Sequence, residues 1–387
     1  MLKPFGNSMC PSAARLALGA AALMVIILLH LTGLSFHLRR TEADDAIIQT
    51  VTHDAPRPTP VDTEQIELDN AAQPELARQV LSSEILKRQP EQSQDASIPR
   101  IFHQSWKSLE LPEKFQTWSR SCRQTHRDWE WVVWTDDDNL TLIKQHFPWL
   151  EKVYKELPSE IYRADLSRCL YMYIYGGVYA DLDTECLLPS EALEDTYGPL
   201  FTNQSTGIDT AIFGRMGDDP SFRHSIPNAW MASSPGNPMF LVMVQEIIER
   251  HKTSQSKIFK STSAEGLTGP IALRSAITRY EKDKVLFGDE LEPDVAALVK
   301  KGPFADAASK REHRVILLPS QFIYPYSWGN DGKQYRGVCH VLQDGFNATE
   351  CKKQLQVEEH GSISITYWSH SHTTSGHSDK NMKKIGG

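Results

Sequence analysis

The chain has 387 residues, of which 40% are hydrophobic and 23% charged, and its formal net charge is −8. This composition is typical of a globular protein and excludes disorder along most of the chain. The negative charge and the lack of a long Lys/Arg block exclude a nucleic-acid-binding protein, because neutralising phosphates requires a basic face.

An apolar segment occupies residues 16–36. It is long enough to cross a bilayer, and no small-x-small cleavage site of a signal peptide accompanies it. We therefore predict a short cytosolic tail at 1–15 and an uncleaved transmembrane anchor at 16–36; the alternative is a buried core helix. Basic residues are nearly balanced on the two sides, so the positive-inside rule does not set the orientation.

Three Asn-x-Ser/Thr sequons follow this anchor, at Asn139, Asn203 and Asn347. They are usable for N-glycosylation only if this part of the chain faces a secretory lumen. Each sequon alone is weak evidence for that orientation.

Five cysteines also follow the anchor. A polar, Gly-containing loop separates Cys339 from Cys351, and we predict a disulfide between them. A second bond, between Cys169 and Cys186, is left open by the sequence. The absence of a Cys-x-x-Cys motif argues against zinc ribbons and thioredoxin-like chemistry.

Residues 37–97 are rich in Asp, Glu, Gln, Thr and Pro and predict a stem linker, with a short helix within 75–87. The folded domain is predicted at 98–376, followed by a tail at 377–387. Its strands are expected at 99–106, 130–135, 178–180, 315–318 and 362–368. Its helices are expected at 113–125, 136–147, 150–157, 160–175, 239–251 and 271–280. This alternation predicts an α/β fold with a largely parallel sheet.

Two carboxylates, Asp181 and Asp183, follow the short strand at 178–180. Ligands of open α/β sheets bind at the carboxyl ends of strands. Oxygen ligands at this spacing suit Mn²⁺ or Mg²⁺ bridging a diphosphate. The preceding Gly176 and Gly177 are expected to let the backbone approach a ligand.

A second Asp-x-Asp pattern, from Asp136 to Asp138, competes with the first. It stands where a helix is expected to begin, and acidic residues there complement the helix dipole. We therefore interpret it as a helix start.

Asp165 and Arg168 lie at positions i and i+3 of the helix predicted at 160–175. The simple interpretation is an ion pair on the helix surface. The functional interpretation is that Asp165 accepts hydrogen bonds from a sugar while Arg168 faces the leaving phosphate.

Four motifs occur together in one order: Ile101-Phe-His-Gln-Ser-Trp106, Trp134-Thr-Asp136, Arg163-Ala-Asp165 with Arg168, and Gly176-Gly-Val-Tyr-Ala-Asp-Leu-Asp183. In this order the chain resembles family 32 glycosyltransferases, the mainly fungal DXD group of initiating α-1,6-mannosyltransferases and mannosyl-inositolphosphoceramide synthases. The resemblance covers residues 98–376. It implies a GT-A-like, Rossmann-type nucleotide-sugar-binding domain, a GDP-sugar donor, Mn²⁺ and retention of anomeric configuration.

The resemblance also implies roles for individual residues. Asp183 resembles the direct metal ligand and Asp181 a sugar or ribose contact that shares the metal. Asp165 and Arg168 resemble the donor-sugar pair, and Trp106 an aromatic near the base. Gly176, Gly177 and Asn228 are further candidates for donor binding, and His370 or His372 for completing the metal shell.

Within this family the segments 324–328 and 367–370 look more like the inositolphosphoceramide branch. We therefore expect a Golgi single-pass type II membrane enzyme with a lumenal catalytic domain, using GDP-mannose and a glycolipid or glycan acceptor, within a complex of glycosyltransferases. The alternatives are an N-glycan outer-chain α-1,6-mannosyltransferase, a UDP-sugar-dependent galactosyl- or glucosyltransferase, and a non-catalytic lectin-like membrane protein. No nucleic-acid partner is expected.

Overall fold

The computed structural model of this chain describes residues 47, 76–92, 94–202, 207–219, 221–255, 263–288, 290–305 and 311–369, and the backbone of Met382–Lys384. The chain divides into two units, Met1–Ile48 and Gln49–Gly387, and every element named below belongs to the second. The predicted cytosolic tail and anchor, and the predicted stem up to residue 75 apart from residue 47, lie outside the described residues. No described helix has the length and apolar content needed to cross a membrane.

The strands among the described residues are short, and most of them are buried. Their bounds are β1 Arg78–Gln79, β2 Ile101–Ser105, β3 Glu110–Pro112, β4 Glu130–Trp134, β5 Gly177–Ala180, β6 Thr184–Cys186, β7 Asp209–Gly214, β8 Trp230–Ser233, β9 His313–Leu318, β10 Ser364–Thr366 and β11 Met382–Lys384.

Seven of these strands form the central sheet, in the order β1-β4-β2-β5-β8-β7-β9. Neighbouring strands are parallel except at β8, which runs antiparallel to both β5 and β7. The prediction of a largely parallel sheet is confirmed. Because β8 is reversed, the residues before β8 lie at the same edge as the residues after β2, β5, β7 and β9, the edge where such sheets bind ligands.

Two small antiparallel sheets complete the strand pairing. One joins β6 to β10 and the other joins β3 to β11. The first matters for the site, because it brings the segment after β10 beside the loop that connects β5 to β6.

The helices with both ends described are α1 Ser82–Ile85, α2 Glu113–Thr125, α3 Asp136–His146, α4 Glu151–Glu156, α5 Glu160–Ile174, α6 Glu194–Tyr197, α7 Met239–Ser254, α8 Ala264–Leu267, α9 Pro270–Phe287, α10 Pro293–Val299, α11 Ser320–Ile323, α12 Arg336–Cys339 and α13 Ala348–Gln354. Short 3₁₀ turns lie at Pro148–Leu150, Ser190–Leu193 and Lys333–Tyr335.

The most deeply placed helix is α5, whose residues from Asp165 to Ile174 are all buried. A helix buried on every side belongs to the core rather than to the surface. It packs against α3 and α7, and it ends where Gly176 adopts a φ of 62°. The predicted glycine stop of this helix is confirmed, because only glycine adopts this backbone conformation without strain.

Several predicted elements are found with small changes of length. The helix predicted at 113–125 has those bounds, and the helix predicted at 271–280 extends over Pro270–Phe287. Two strands inside the central sheet, β7 and β8, are not among the strands that the sequence predicts. Both are fully buried, so neither shows the alternation of polar and apolar residues that marks a half-buried strand, and tertiary packing decides their conformation.

The folded region begins before Ile98, and the predicted stem boundary is wrong on this point. Strand β1 pairs with β4 at the end of the central sheet, and Ala77, Val80 and Ile85 are buried. The helix expected within 75–87 is only four residues long, α1. Polar residues around these few apolar anchors gave the segment the composition of a linker.

Two disulfides form among the described cysteines. The predicted Cys339–Cys351 bond is present, within the segment from α12 to α13. Cys186 bonds to Cys122, not to Cys169, because Cys122 on α2 faces β6. Cys169 is a buried free thiol inside α5, and burial raises its pKa to about 12.

His103 in β2 illustrates how the core satisfies its polar groups. Its Nδ1 accepts from the indole of Trp134 at 3.0 Å, and its Nε2 donates to the carbonyl of Gly176 at 2.9 Å. Full burial lowers the pKa of this imidazole to about 4. The histidine of the first sequence motif is therefore a neutral core residue.

Candidate active site

Asp181 and Asn228 meet at the ligand-binding edge of the sheet because of the reversed strand. Ala180 at the end of β5 is opposite Trp230 at the start of β8. The ladder continues one step further, with the amide of Asp181 donating to the carbonyl of Ala229 at 2.8 Å. Residues 47 positions apart in sequence thereby lie at one edge of the sheet.

Arg168 joins these two strand ends to helix α5. Its Nη1 donates to the carbonyl of Asn228 at 2.8 Å and lies 3.1 Å from Oδ1 of Asp181, while Nη2 lies 3.4 Å from Asp165. The side chain is only 6% exposed. This is a buried charge network, so the interpretation as a surface ion pair is wrong.

The charges of this network support one another. Burial alone would lower the pKa of Arg168, but Asp181, Tyr179 and Asp165 raise it above its usual value. Arg168 is therefore a permanent cation in a site shielded from water. A fixed positive charge of this kind stabilises negative charge that develops beside it.

Asp165 is held by donors from two other parts of the chain. Asn228 Nδ2 lies 2.9 Å from its Oδ1, and Thr268 Oγ1 lies 2.7 Å from its Oδ2. Burial raises the pKa of this carboxyl, and Arg168, Thr268 and Asn228 oppose the rise. The predicted candidates Asp165, Arg168 and Asn228 thus form one cluster.

Tyr179 of β5 supports Asp181 in the same network. Its hydroxyl donates to Asp181 Oδ1 at 2.7 Å, and the Arg168 guanidinium lies 4.6 Å from the centre of its ring. Asp181 is therefore fixed both by a hydrogen bond and by an ion pair. Tyr179 stands inside the quoted motif, but nothing in the sequence assigned it this role.

Asp183 is held by the chain segment that follows β10. The amide of Ser369 donates to Asp183 Oδ2 at 2.7 Å, and the amide of Tyr367 to the Asp183 carbonyl at 3.2 Å. Between them Trp368 adopts a φ of 53°, a strained conformation for a bulky residue. Strain of this kind is concentrated at functional sites.

The carboxylates present fit a divalent cation only in part. Leu182 between them is buried, while Asp181 and Asp183 are both partly exposed. Among the described residues, no group of three or more His, Cys, Asp or Glu side chains could hold a metal by itself. Two aspartates would therefore bind it together with oxygens of a bound diphosphate. The predicted ligands His370 and His372 lie outside the described residues.

Trp106 follows the end of β2 at the same sheet edge. Its amide donates to the carbonyl of Trp134 at 3.0 Å, and its ring packs edge-on against Phe115. Its indole Nε1 is buried and has no hydrogen-bond partner in the described parts of the chain. An unsatisfied donor at this edge is consistent with a contact to a bound ligand.

Gly176 and Gly177 lie away from the sheet edge that carries Asp181. They stand at the start of β5, the opposite end of the strand from Asp181. A Cβ on Gly176 would come within 2.5 Å of the Ser233 carbonyl, and one on Gly177 within 2.3 Å of the Ile101 carbonyl. Their role in donor binding is therefore corrected to close packing of the sheet.

The second acidic pattern begins α3, as predicted. Thr135 is the N-cap, and its side chain and that of Asp138 form a reciprocal capping box. Asp136 is half-buried, and burial raises the pKa of its carboxyl. The sequon at Asn139 is also excluded, because this side chain is fully buried and bonded to Tyr171.

Comparison with known proteins agrees with this site. Residues 112–198 match the family described as "Glycosyltransferase sugar-binding region containing DXD motif". The match includes Asp165, Arg168, Asp181 and Asp183. This segment of the chain is similar to the sugar-binding region of that family.

The curated relatives of this chain include fungal proteins. Inositol phosphoceramide mannosyltransferase 3 of Schizosaccharomyces pombe is 44% identical over 94 residues, 24% of this chain and 26% of that protein. Mannosyl phosphorylinositol ceramide synthase CSH1 of Saccharomyces cerevisiae is 31% identical over 185 residues, 48% of this chain and 44% of that protein. The initiation-specific alpha-1,6-mannosyltransferase of the same yeast is 27% identical over 105 residues, 25% of this chain and 22% of that protein.

The chain spans about half, or less, of the length of the fungal ceramide mannosyltransferases and synthases that it matches. The share of each relative that is covered lies between 26% and 52%. Among solved structures, PaToxG Glycosyltransferase is matched over 58% of this chain and 93% of that chain, with 14% identity and a TM-score of 0.34. A TM-score this low does not assign a fold.

Proposed function

We propose that the chain is a metal-dependent, retaining mannosyltransferase with a GT-A-like domain, which transfers mannose from GDP-mannose to a glycolipid resembling inositol phosphoceramide. The observation that carries the proposal is the buried network of Asp165, Arg168 and Asp181 within the DXD sugar-binding region. A surface ion pair needs no such burial, whereas recognition of a charged sugar donor does.

Each residue of the network has a part in the proposed reaction. Asp165 accepts hydrogen bonds from sugar hydroxyls, and Arg168 faces the leaving diphosphate and neutralises its growing charge. Asp183 and Asp181, with His370 or His372, would hold Mn²⁺ or Mg²⁺, and the ion would supply Lewis-acid stabilisation of the same diphosphate. Trp106 lies beside the nucleotide base.

Retention of configuration follows from attack on the donor's front face. The bond between the anomeric carbon and the phosphate oxygen breaks as the acceptor oxygen bonds to the same face. The acceptor's proton passes to the leaving phosphate oxygen. This route needs no nucleophilic carboxylate. Asp165 is poorly suited to be one, because it already accepts hydrogen bonds from Asn228 and Thr268.

A glycolipid acceptor is favoured over an N-glycan, because the stronger matches are with proteins named as inositol phosphoceramide mannosyltransferases or mannosyl phosphorylinositol ceramide synthases. Transfer to N-glycan outer chains, and use of UDP-galactose or UDP-glucose, are the alternatives within the class. We place the enzyme in the Golgi membrane as a type II protein. The two disulfides of the described domain suit an oxidising lumen.

A donor screen tests this proposal. The full chain, purified in detergent, is incubated with Mn²⁺ and GDP-mannose, UDP-galactose or UDP-glucose, with an inositol-phosphoceramide or a mannose-oligosaccharide acceptor. We expect EDTA-sensitive mannose transfer to the lipid from GDP-mannose. Turnover of a UDP-sugar alone would reject the donor, transfer only to the oligosaccharide would reject the acceptor, and no metal-dependent turnover would favour a lectin-like protein.

A further inference from the structure

Thr268 stands in a tight turn between two helices at the edge of the candidate site. It follows α8 and precedes Gly269 and Pro270, where α9 begins. Its amide donates to the carbonyl of Ala264 at 3.0 Å, and a Cβ on Gly269 would come within 2.9 Å of Glu265 Cα. The turn is therefore fixed by its own backbone, and Thr268 is fully buried in it.

The hydroxyl of Thr268 has two acceptors within reach but one proton. Asp165 Oδ2 lies 2.7 Å away and the carbonyl of Ala264 lies 3.3 Å away. A hydrogen bond to a carboxylate is shorter and stronger than one to a neutral carbonyl. The proton therefore goes to Asp165, 103 positions earlier in the chain.

Thr268 is the donor to one oxygen of Asp165, while the other oxygen faces Asn228 and Arg168. The carboxylate is thus held from the α8–α9 turn, from the segment before β8, and from its own helix. Rotation of the carboxylate plane would break at least one of these contacts. A carboxylate that accepts hydrogen bonds from particular sugar hydroxyls has to be held in a fixed orientation.

We propose that Thr268 is a positioning residue for the donor sugar, acting through Asp165. The proposal rests on the proposed function, because it assumes that Asp165 contacts the sugar of a nucleotide-sugar donor. Thr268 itself is 2.7 Å from Asp165 and fully buried. It therefore acts by setting the direction of the carboxylate.

The test compares Thr268→Val, which keeps the shape and removes the hydroxyl, with Thr268→Ser, which keeps the hydroxyl. Thr278→Val is the matched control, since Thr278 is also buried, on α9, and its hydroxyl donates to the backbone carbonyl of Arg274. With GDP-mannose, we expect kcat/KM to fall roughly tenfold to hundredfold in Thr268→Val. Thr268→Ser and Thr278→Val are expected to stay close to the wild type.

Affinity for GDP, which carries no sugar, is expected to be unchanged in Thr268→Val. A Thr268→Val enzyme with wild-type kcat/KM would overturn the proposal, as would a Thr268→Ser enzyme as impaired as Thr268→Val. Equal loss of GDP affinity and of kcat/KM would also overturn it, because the defect would then be a general distortion of the site.

A stability measurement separates this proposal from the proposed function. Thr268→Val and Asp165→Ala are combined, and the free energy of unfolding is measured for both single variants and the double variant. Non-additive effects are expected from two groups that share a buried hydrogen bond. Additive effects would contradict the bond itself. Absence of donor turnover in the wild type would instead reject the proposed function and, with it, the sugar-positioning role.

Discussion

At the scale of single residues, the site is organised around Arg168. This side chain joins the helix that carries Asp165 to the two strand ends that carry Asp181 and Asn228. Lysine carries the same charge but lacks the planar fork that contacts three groups at once. The charge and the geometry of Arg168 are therefore separable by substitution.

Replacing Arg168 with Lys is expected to reduce mannose transfer by roughly a hundredfold or more, because stabilisation of the leaving diphosphate depends on placed donors. The measurement is kcat with GDP-mannose. Arg279→Lys serves as the control, since Arg279 makes its ion pairs with Glu249, Asp283 and Glu292 on α7, on α9 and before α10. Equal activity of Arg168→Lys and the control would argue against a role for the guanidinium.

The core histidines predict a pH dependence of stability. Burial lowers the pKa of His103 and of His126 to about 4, from an ordinary value of 6.5. Below pH 6.5 the unfolded chain binds protons that the folded chain does not, so stability falls as the pH drops toward 4. Replacing His126 with Gln removes one group that takes up a proton on unfolding. The unfolding free energy of the variant is therefore expected to fall less steeply with pH than that of the wild type. Urea unfolding between pH 7 and 4.5 measures it, and an unchanged slope would refute the buried neutral imidazole.

The sequence predicts only some of these residues. Asp165 and Arg168 stand three positions apart on one helix, and Asp181 and Asp183 follow a strand, so local spacing indicates both pairs. The contact of Thr268 with Asp165 depends on how the α8–α9 turn packs against α5. That contact has no local signal in the sequence.

At the scale of elements, the segment around Asp183 is held from two sides. The Cys122–Cys186 disulfide ties α2 to β6, and β10 pairs with β6. The pairing of β10 with β6 brings the amides of Tyr367 and Ser369 within hydrogen-bond distance of Asp183. The loop that carries the two aspartates is therefore positioned by covalent and backbone contacts.

Removing the disulfides is expected to destabilise the domain unequally. The Cys122–Cys186 bond closes a segment with a separation of 64 residues, and the Cys339–Cys351 bond one of 12. Without a disulfide, the unfolded chain regains the conformational entropy that the closed loop had removed. This gain predicts a destabilisation of roughly 4 kcal/mol for loss of the first bond and roughly 3 kcal/mol for loss of the second. Unfolding of Cys122→Ala/Cys186→Ala and Cys339→Ala/Cys351→Ala variants measures the difference. A larger loss from the shorter loop would contradict this ranking.

Helices were easier to predict than strands. The helix at Glu113–Thr125 shows apolar residues at helical spacing, with Phe115, Trp118 and Cys122 buried. Strand β8 is four residues long and buried on both sides, so no alternation marks it. Its reversed direction, which brings Asn228 to the site, is a property of the whole sheet.

At the scale of the whole molecule, one sheet edge collects groups from distant parts of the chain. Trp106 follows β2, Asp181 follows β5 and Asn228 precedes β8. The sequence predicted this edge from the alternation of strands and helices. It could not predict that β1 belongs to the sheet, because a two-residue strand inside a polar segment has no pattern of its own.

The most direct test of the account is mannose transfer by Asp183→Asn. The substitution keeps the side-chain shape and its hydrogen bond from Ser369, but it removes the charge proposed to hold the metal. With GDP-mannose, Mn²⁺ and inositol phosphoceramide, the account predicts that the variant transfers no measurable mannose while its circular dichroism and melting temperature match the wild type. Full transfer by a folded Asp183→Asn protein would contradict it.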